Sequence, residues 1–129
     1  MLLQDSEALY VQEIRRALAD STPVATRAPT ENDAQYVRIS RVGGPAPYPF
    51  LDQPMLTIEC WATNDAAAER LGARVRAIVW AMDGRRIGDA MVSGTHETGG
   101  LTYFDDPDTP DYHRYQFTIR AALRWRTTP

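Results

Sequence analysis

Six uninterrupted alternations near the end of the sequence constrain the fold more than any other feature. Tyr115, Phe117, Ile119, Ala121, Leu123 and Trp125 occupy one parity, and Gln116, Thr118, Arg120, Ala122, Arg124 and Arg126 the other. Successive side chains of a strand point to opposite faces, so the pattern predicts a strand with one face in a core. Two earlier runs have the same period. Val37 and Ile39 alternate with Arg38 and Ser40, and Leu56, Ile58 and Cys60 alternate with Thr57, Glu59 and Trp61. Between them lies Gly43-Gly44-Pro45-Ala46-Pro47-Tyr48-Pro49-Phe50, whose prolines forbid regular pairing and favour extended backbone. The expectation is a β-hairpin with a long, semi-rigid connection.

Two helical stretches can cover such a sheet. Tyr10, Val11, Ile14, Ala17 and Leu18 recur at helical spacing. Asp5 or Ser6 can cap that helix, Glu7 sits in its first turn, and Ser21-Thr22-Pro23 stops it. In the second, Leu71, Val75, Ile78, Val79 and Met82 share one face; Asn64 or Asp65 is the cap, and Asp83-Gly84 the end. Val24 to Arg27 reads as a short strand and residues 28–34 as a polar loop. Met91 to Thr98 reads as an extended segment with Gly94, Gly99 and Gly100 as irregular points. Asp105 to Asp111, with Pro107 and Pro110, reads as a rigid acidic turn. The order helix, three strands, helix, two strands predicts an α+β fold: a single mainly antiparallel sheet packed with two helices.

The length, 129 residues, suits one domain over 1–129, and 43% hydrophobic residues suffice for one modest core. No apolar run is long enough to span a membrane, and Met1 to Asp5 lacks the basic start and apolar stretch of a signal peptide. Cys60 stands alone, which excludes an intrachain disulfide and a cysteine-rich metal site. These features favour folding in a reducing cytoplasm. Fourteen basic residues, all Arg, against seventeen carboxylates leave a net charge of −3, which argues against whole-surface attraction to nucleic acid.

Reactive groups are few. His96 and His113 could join Asp105, Asp106, Asp108 or Asp111 around a metal, but the spacing fits no finger-type template. Residues 106–111 lack the glycine and terminal glutamate of a calcium loop, so a solvated acidic turn is the simpler reading. Cys60 could pair with a histidine, yet its parity with Leu56 and Ile58 favours a buried, inert thiol. Gly43-Gly44 is no phosphate loop, since no Lys-Ser/Thr follows. Nothing here calls for a cofactor or a catalytic residue.

Two binding classes remain. Arg120, Arg124 and Arg126 share a strand face, and Arg38 and Arg41 can extend it on a neighbouring strand. Such a face suits a phosphate backbone, although the stacking aromatics lie on the other parity. Assembly is the second class. Trp61 and Tyr36 fall on the parity opposite to the core residues, as exposed aromatics at interfaces do. The irregular segments at roughly 43–54 and 99–113 are rigid, projecting loops of the kind that carry contacts.

Arg41-Val42-Gly43-Gly44-Pro45, then Ile58-Glu59-Cys60-Trp61-Ala62 before an Ala-rich helix, then Asp106-Pro107-Asp108-Thr109 with Arg114-Tyr115 leading into the final strand, occur in order over nearly the whole chain. Together they resemble the tail terminator (tail completion) family of long, non-contractile-tailed bacteriophages of actinobacteria. The resemblance implies a tail-terminator-like protomer, with no catalytic activity and no cofactor, that closes into a hexameric ring. Such a ring stops polymerisation of the tail-tube protein and offers the surface to which the head-tail connector or stopper joins. It implies a place in the virion at the head-proximal end of the tail after assembly in the host cytoplasm. The resemblance also implies that DNA passes through the lumen without sequence-specific binding. Arg41, Gly43, Gly44, Trp61 and Arg114 carry the motifs and are expected at structural or interface positions. Arg38, Arg120, Arg124 and Arg126 are expected on a lumen or nucleic-acid face.

Overall fold

The computed structural model describes residues 5–27 and 33–126, so Met1 to Gln4 and residues 28–32 of the expected polar loop lie outside the described residues. In chain order the elements are α1 (Ser6–Leu18), β1 (Val24–Ala25), β2 (Gln35–Gly43), β3 (Leu51–Asp52) and β4 (Met55–Ala62). They continue with α2 (Asp65–Ala81), β5 (Arg86–Ile87), β6 (Ala90–Tyr103) and β7 (His113–Trp125). The strands form one sheet in the order β1-β2-β4-β7-β6-β5, and β3 also pairs with β7. Every pairing is antiparallel except β1 with β2. The fold is α+β, with both helices on one face of the sheet.

The strand with six alternations is the centre of this sheet. β7 pairs with β4 from Met55↔Arg120 to Ala62↔His113 and with β6 on its other side. A central strand has no free backbone edge, so its side chains alone divide core from surface. Phe117, Ile119, Ala121 and Leu123 are buried, together with Val37, Ile39, Leu56, Ile58 and Cys60 of the neighbouring strands. Tyr10, Ile14 and Leu18 of α1 and Leu71, Val75 and Val79 of α2 complete this core.

Capping fixes where the helices begin. The Asp5 carboxylate accepts from the Ala8 amide at 3.1 Å, and the Asn64 side chain accepts from the Ala67 amide at 2.8 Å. α1 stops on Ala19 in the left-handed region (φ 54), two residues before Ser21. α2 comes close to β6 at Gly72, where a Cβ would stand 2.9 Å from Leu101 Cδ1.

The sheet is larger than the alternation predicts. β3 and β5 are two residues each, too short to show a period. β1 covers Val24 and Ala25 only, and it runs parallel to β2. β6 runs on to Tyr103 instead of ending at Thr98. Its register shifts between Val92 and Gly94, Glu97 and Gly99, and Gly99 and Thr102, so the glycines bend a continuing strand without ending it.

Candidate functional site

The loop between β2 and β4 is built around a buried carboxylate. Asp52 is fully buried, and a buried charge needs a partner. Arg41 supplies a bidentate one, with Nη1 donating to Oδ2 at 2.6 Å and Nη2 to Oδ1 at 2.8 Å. The same guanidinium donates to the carbonyls of Gly43 (3.1 Å) and Gly44 (2.9 Å), and the Arg41 amide donates to Glu7 Oε2 at 2.8 Å. One side chain thus ties the base of the loop to its far strand, and its backbone holds the first turn of α1. Gly44 has φ +96, and a Cβ there would lie 2.0 Å from the Gln53 carbonyl oxygen, so the turn requires glycine. The Gln53 amide donates to Pro45 O, Leu51 to Tyr48 O and Trp125 to Phe50 O, which fold the rest of the loop tightly. Its tip presents Tyr48 and Phe50 stacked at 5.9 Å, with Tyr48 58% and Val42 56% exposed.

At the opposite end, the sheet face away from the helices carries a second cluster. Tyr36, Trp61 and Arg114 occupy one cross-strand row of β2, β4 and β7, with Arg38 and Glu59 in the next. Arg114 stands 5.6 Å from the Trp61 ring centroid and 5.2 Å from that of Phe104, in cation–π contact with both. It donates to Glu59 Oε2 at 2.9 Å and to the carbonyls of Phe104 (2.9 Å) and Asp105 (3.1 Å). Asp106 lies 3.7 Å from it. The acidic turn is therefore folded back onto the sheet by Arg114, and the Tyr112 hydroxyl donating to Asp33 O holds its far side.

The carboxyls here are not equivalent. Burial pushes the Glu59 carboxyl above the usual carboxylate range, against the pull of Arg38 and Arg114. Burial also raises Asp106, but hydrogen bonds from Thr109 and the Asp108 amide, with the Arg114 charge, outweigh it and hold the group low. The Trp61 indole N–H faces the Asp106 carboxylate without reaching normal hydrogen-bond geometry.

Several expectations are corrected by this arrangement. Trp61 and Tyr36 are not exposed aromatics: Trp61 is fully buried and Tyr36 is 6% exposed, edge-to-face at 6.0 Å. The covering loop and Arg114 could not be read from parity. The arginines do not form one stripe. Arg38 and Arg41 are an odd number of residues apart, so Arg41 faces the helix side. Arg38 faces Glu59 at 3.7 Å. Arg120, Arg124 and Arg126 are exposed together near the β2–β4 loop, where Arg120 reaches Gln53 at 3.5 Å. His96 pairs across from Arg120 and His113 from Ala62, so the two histidines stand seven residues apart along β7 on opposite faces. They cannot share a metal within one protomer. Among the described residues no group of three or more His, Cys, Asp or Glu side chains is placed to hold one. Cys60 is buried in the main core, where desolvation pushes its thiol up and keeps it un-ionised.

Sequence reasoning missed three features. Asp52 gave no signal beyond a carboxylate beside Leu51 in a Pro-rich loop. The Tyr48–Phe50 pair was visible only as aromatics between prolines. The third is a shallow cleft where β6 and β7 emerge from the sheet, lined by Asp65, Tyr103, His113 and Tyr115. Tyr103 packs edge-to-face on Tyr115 at 5.4 Å, and its hydroxyl lies 3.2 Å from His113 Nδ1. The Tyr115 hydroxyl donates to Asp65 at 2.7 Å, which pushes its pKa up to about 12.

Taken together, the molecule is a small α+β domain with an exposed aromatic loop at one end of its sheet and an aromatic cleft at the other. Neither a family model nor a curated protein matches the chain. Solved structures do, among them a chain of the virion of a native gene transfer agent particle. That match has a TM-score of 0.60 at 13% identity and covers 92% of this chain and 94% of the other. At that identity the likeness is one of fold.

Proposed function

We propose that this protein is a structural component of a phage-like virion and acts without catalysis. The observation that carries this reading is the likeness of fold to a chain of the gene transfer agent virion, which extends over 92% of this chain and is not confined to a shared motif. The narrower reading is a tail terminator, and it draws on the motif resemblance over nearly the whole sequence. Six copies form a ring at the head-proximal end of the tail, halt the growth of the tube and receive the head connector, and DNA passes through the opening. The geometry supports an adaptor: a rigid aromatic tip and exposed arginines at one end of the sheet, an aromatic cleft and acidic turn at the other.

Deleting the gene tests it. The expected result is particles with tails of uncontrolled length and heads left unjoined, and imaging of normal tails should show this chain at the head-proximal end. Absence of the protein from purified particles would overturn the virion reading, and its presence elsewhere in the particle would overturn only the tail terminator. Exposure of Arg120, Arg124 and Arg126 together favours one second reading, a nucleic-acid-binding module. It predicts DNA or RNA binding that weakens steeply with salt, and no binding at low salt removes it.

A further inference from the structure

We infer that the two ends of the sheet are made for each other in neighbouring copies, so that the aromatic tip of one protomer seats in the aromatic cleft of the next. This rests on the reading of the protein as a self-assembling virion component.

The tip carries exposed apolar surface that its own chain leaves uncovered: Val42, Tyr48 and Phe50 are 56%, 58% and 39% exposed. It is also pre-organised. The Arg41–Asp52 pair, the Gly44 turn and the Pro45–Gln53 hydrogen bond fix its base, so little conformational entropy is lost when it docks. Large aromatics held in one conformation are what the centres of protein interfaces use.

The cleft has the matching chemistry. Tyr103 is 41% exposed and forms an aromatic wall with Tyr115 and His113. The ends also differ in charge. Beside the tip, Arg124 pairs across from Leu51 and Arg120 touches Gln53, both on the face away from the helices, while Asp5 and Asp89 stand further off beside Trp125. Beside the cleft stand Asp65 and the acidic turn with Asp105, Asp108 and Asp111, all exposed. An apolar tip flanked by arginines on one side thus faces, in the next copy, an aromatic cleft with an acidic rim.

Within one protomer the two cannot meet. Leu51↔Arg124 and Ala62↔His113 mark the two ends, roughly 35 Å apart along β7 at the rise of a strand. A contact between different surfaces of identical chains is heterologous, and it closes into a ring when the rotation per subunit permits.

Two double variants test this, each altering exposed side chains at one end. A tip variant carries Tyr48→Ala with Phe50→Ala, and a cleft variant carries Tyr103→Ala with Asp105→Arg. Self-association is followed by analytical ultracentrifugation up to about 1 mM, where even weak contacts register. Wild-type protein should associate, and each variant alone should do so at least about tenfold more weakly. An equal mixture should give one-to-one dimers and nothing larger, because only one tip and one cleft remain intact. That signature is specific to a heterologous contact.

Wild-type protein that stays monomeric at about 1 mM would overturn the inference. So would variants that associate normally, or a mixture that stays monomeric. If unfolding temperatures show that a variant is misfolded, Arg124→Glu replaces it: alone it weakens association, and mixing with Asp105→Arg restores it. Failure of restoration also overturns the inference. Rings formed equally well by both variants would sink this contact and leave the virion reading standing. The dimer signature in a protein missing from particles would do the reverse.

Discussion

Phe117 and Trp61 are buried to the same degree on opposite faces of one sheet, and the means differ. Phe117 lies on the helix-covered face, in one core cluster with Ile58, Val75 and Ile119, whose members are almost all aliphatic or aromatic. Trp61 lies under no helix. Its cover is an edge-on tyrosine, one guanidinium and a turn held by that guanidinium. The first arrangement depends on volume and tolerates exchange among apolar residues of similar size. The second depends on directed bonds, and losing one partner leaves the others buried and unsatisfied.

Mutations can break this contrast. The largest loss is expected from Phe117→Ala, about 4 kcal/mol by chemical denaturation, with no local opening of residues 104–112. Arg114→Ala should cost about 3 kcal/mol, because Glu59 is left buried without its closest partner. It should also release the acidic turn, which hydrogen exchange at Phe104 to Tyr112 would detect. Adding Glu59→Gln to that variant should recover part of the loss; additive losses would mean that the pair is not coupled. Gly44→Ala should cost about 2 kcal/mol and loosen the aromatic tip, since it strains the backbone and meets the Gln53 carbonyl.

The smallest effect is in titration. Glu59 on the open face should titrate above the ordinary glutamate value. Glu97, held low first by the hydrogen bond from Arg76, should titrate below it. Their linkage to folding has opposite sign. The contribution of Glu59 is present in acid and is lost as pH rises through its raised folded pKa. That of Glu97 is present at neutral pH and is lost as pH falls through its lowered one. Carboxyl carbon shifts followed by NMR would separate the two, and a common midpoint would contradict the difference in burial.

The helix-covered half of the molecule was legible in the sequence. Its periods are long, its caps are Asp5 and Asn64, and the strands 37–40, 56–60 and 115–125 alternate cleanly. The other half was legible only in part. Parity placed Trp61 away from the core, but what covers it comes from Tyr36, 25 positions earlier, and from the turn and Arg114, more than forty positions later. Nothing local in the sequence reports that. The same holds for Arg41, whose role depends on Asp52 folding back across a proline-rich loop. The family resemblance marked Arg41, Gly44, Trp61 and Arg114 without saying what each touches.

The irregular register of β6 bears on what its exposed border can recruit. β5 pairs with β6 only through Ala90 and Met91, so most of the outer border of β6 has no strand partner among the described residues. A straight border of that length would recruit other chains sideways, without limit and without choice of neighbour. The kinks at Gly94 and Gly99 break the row of amides and carbonyls into pieces too short to template such growth. Sideways addition of another strand is thereby disfavoured along this flank of the molecule.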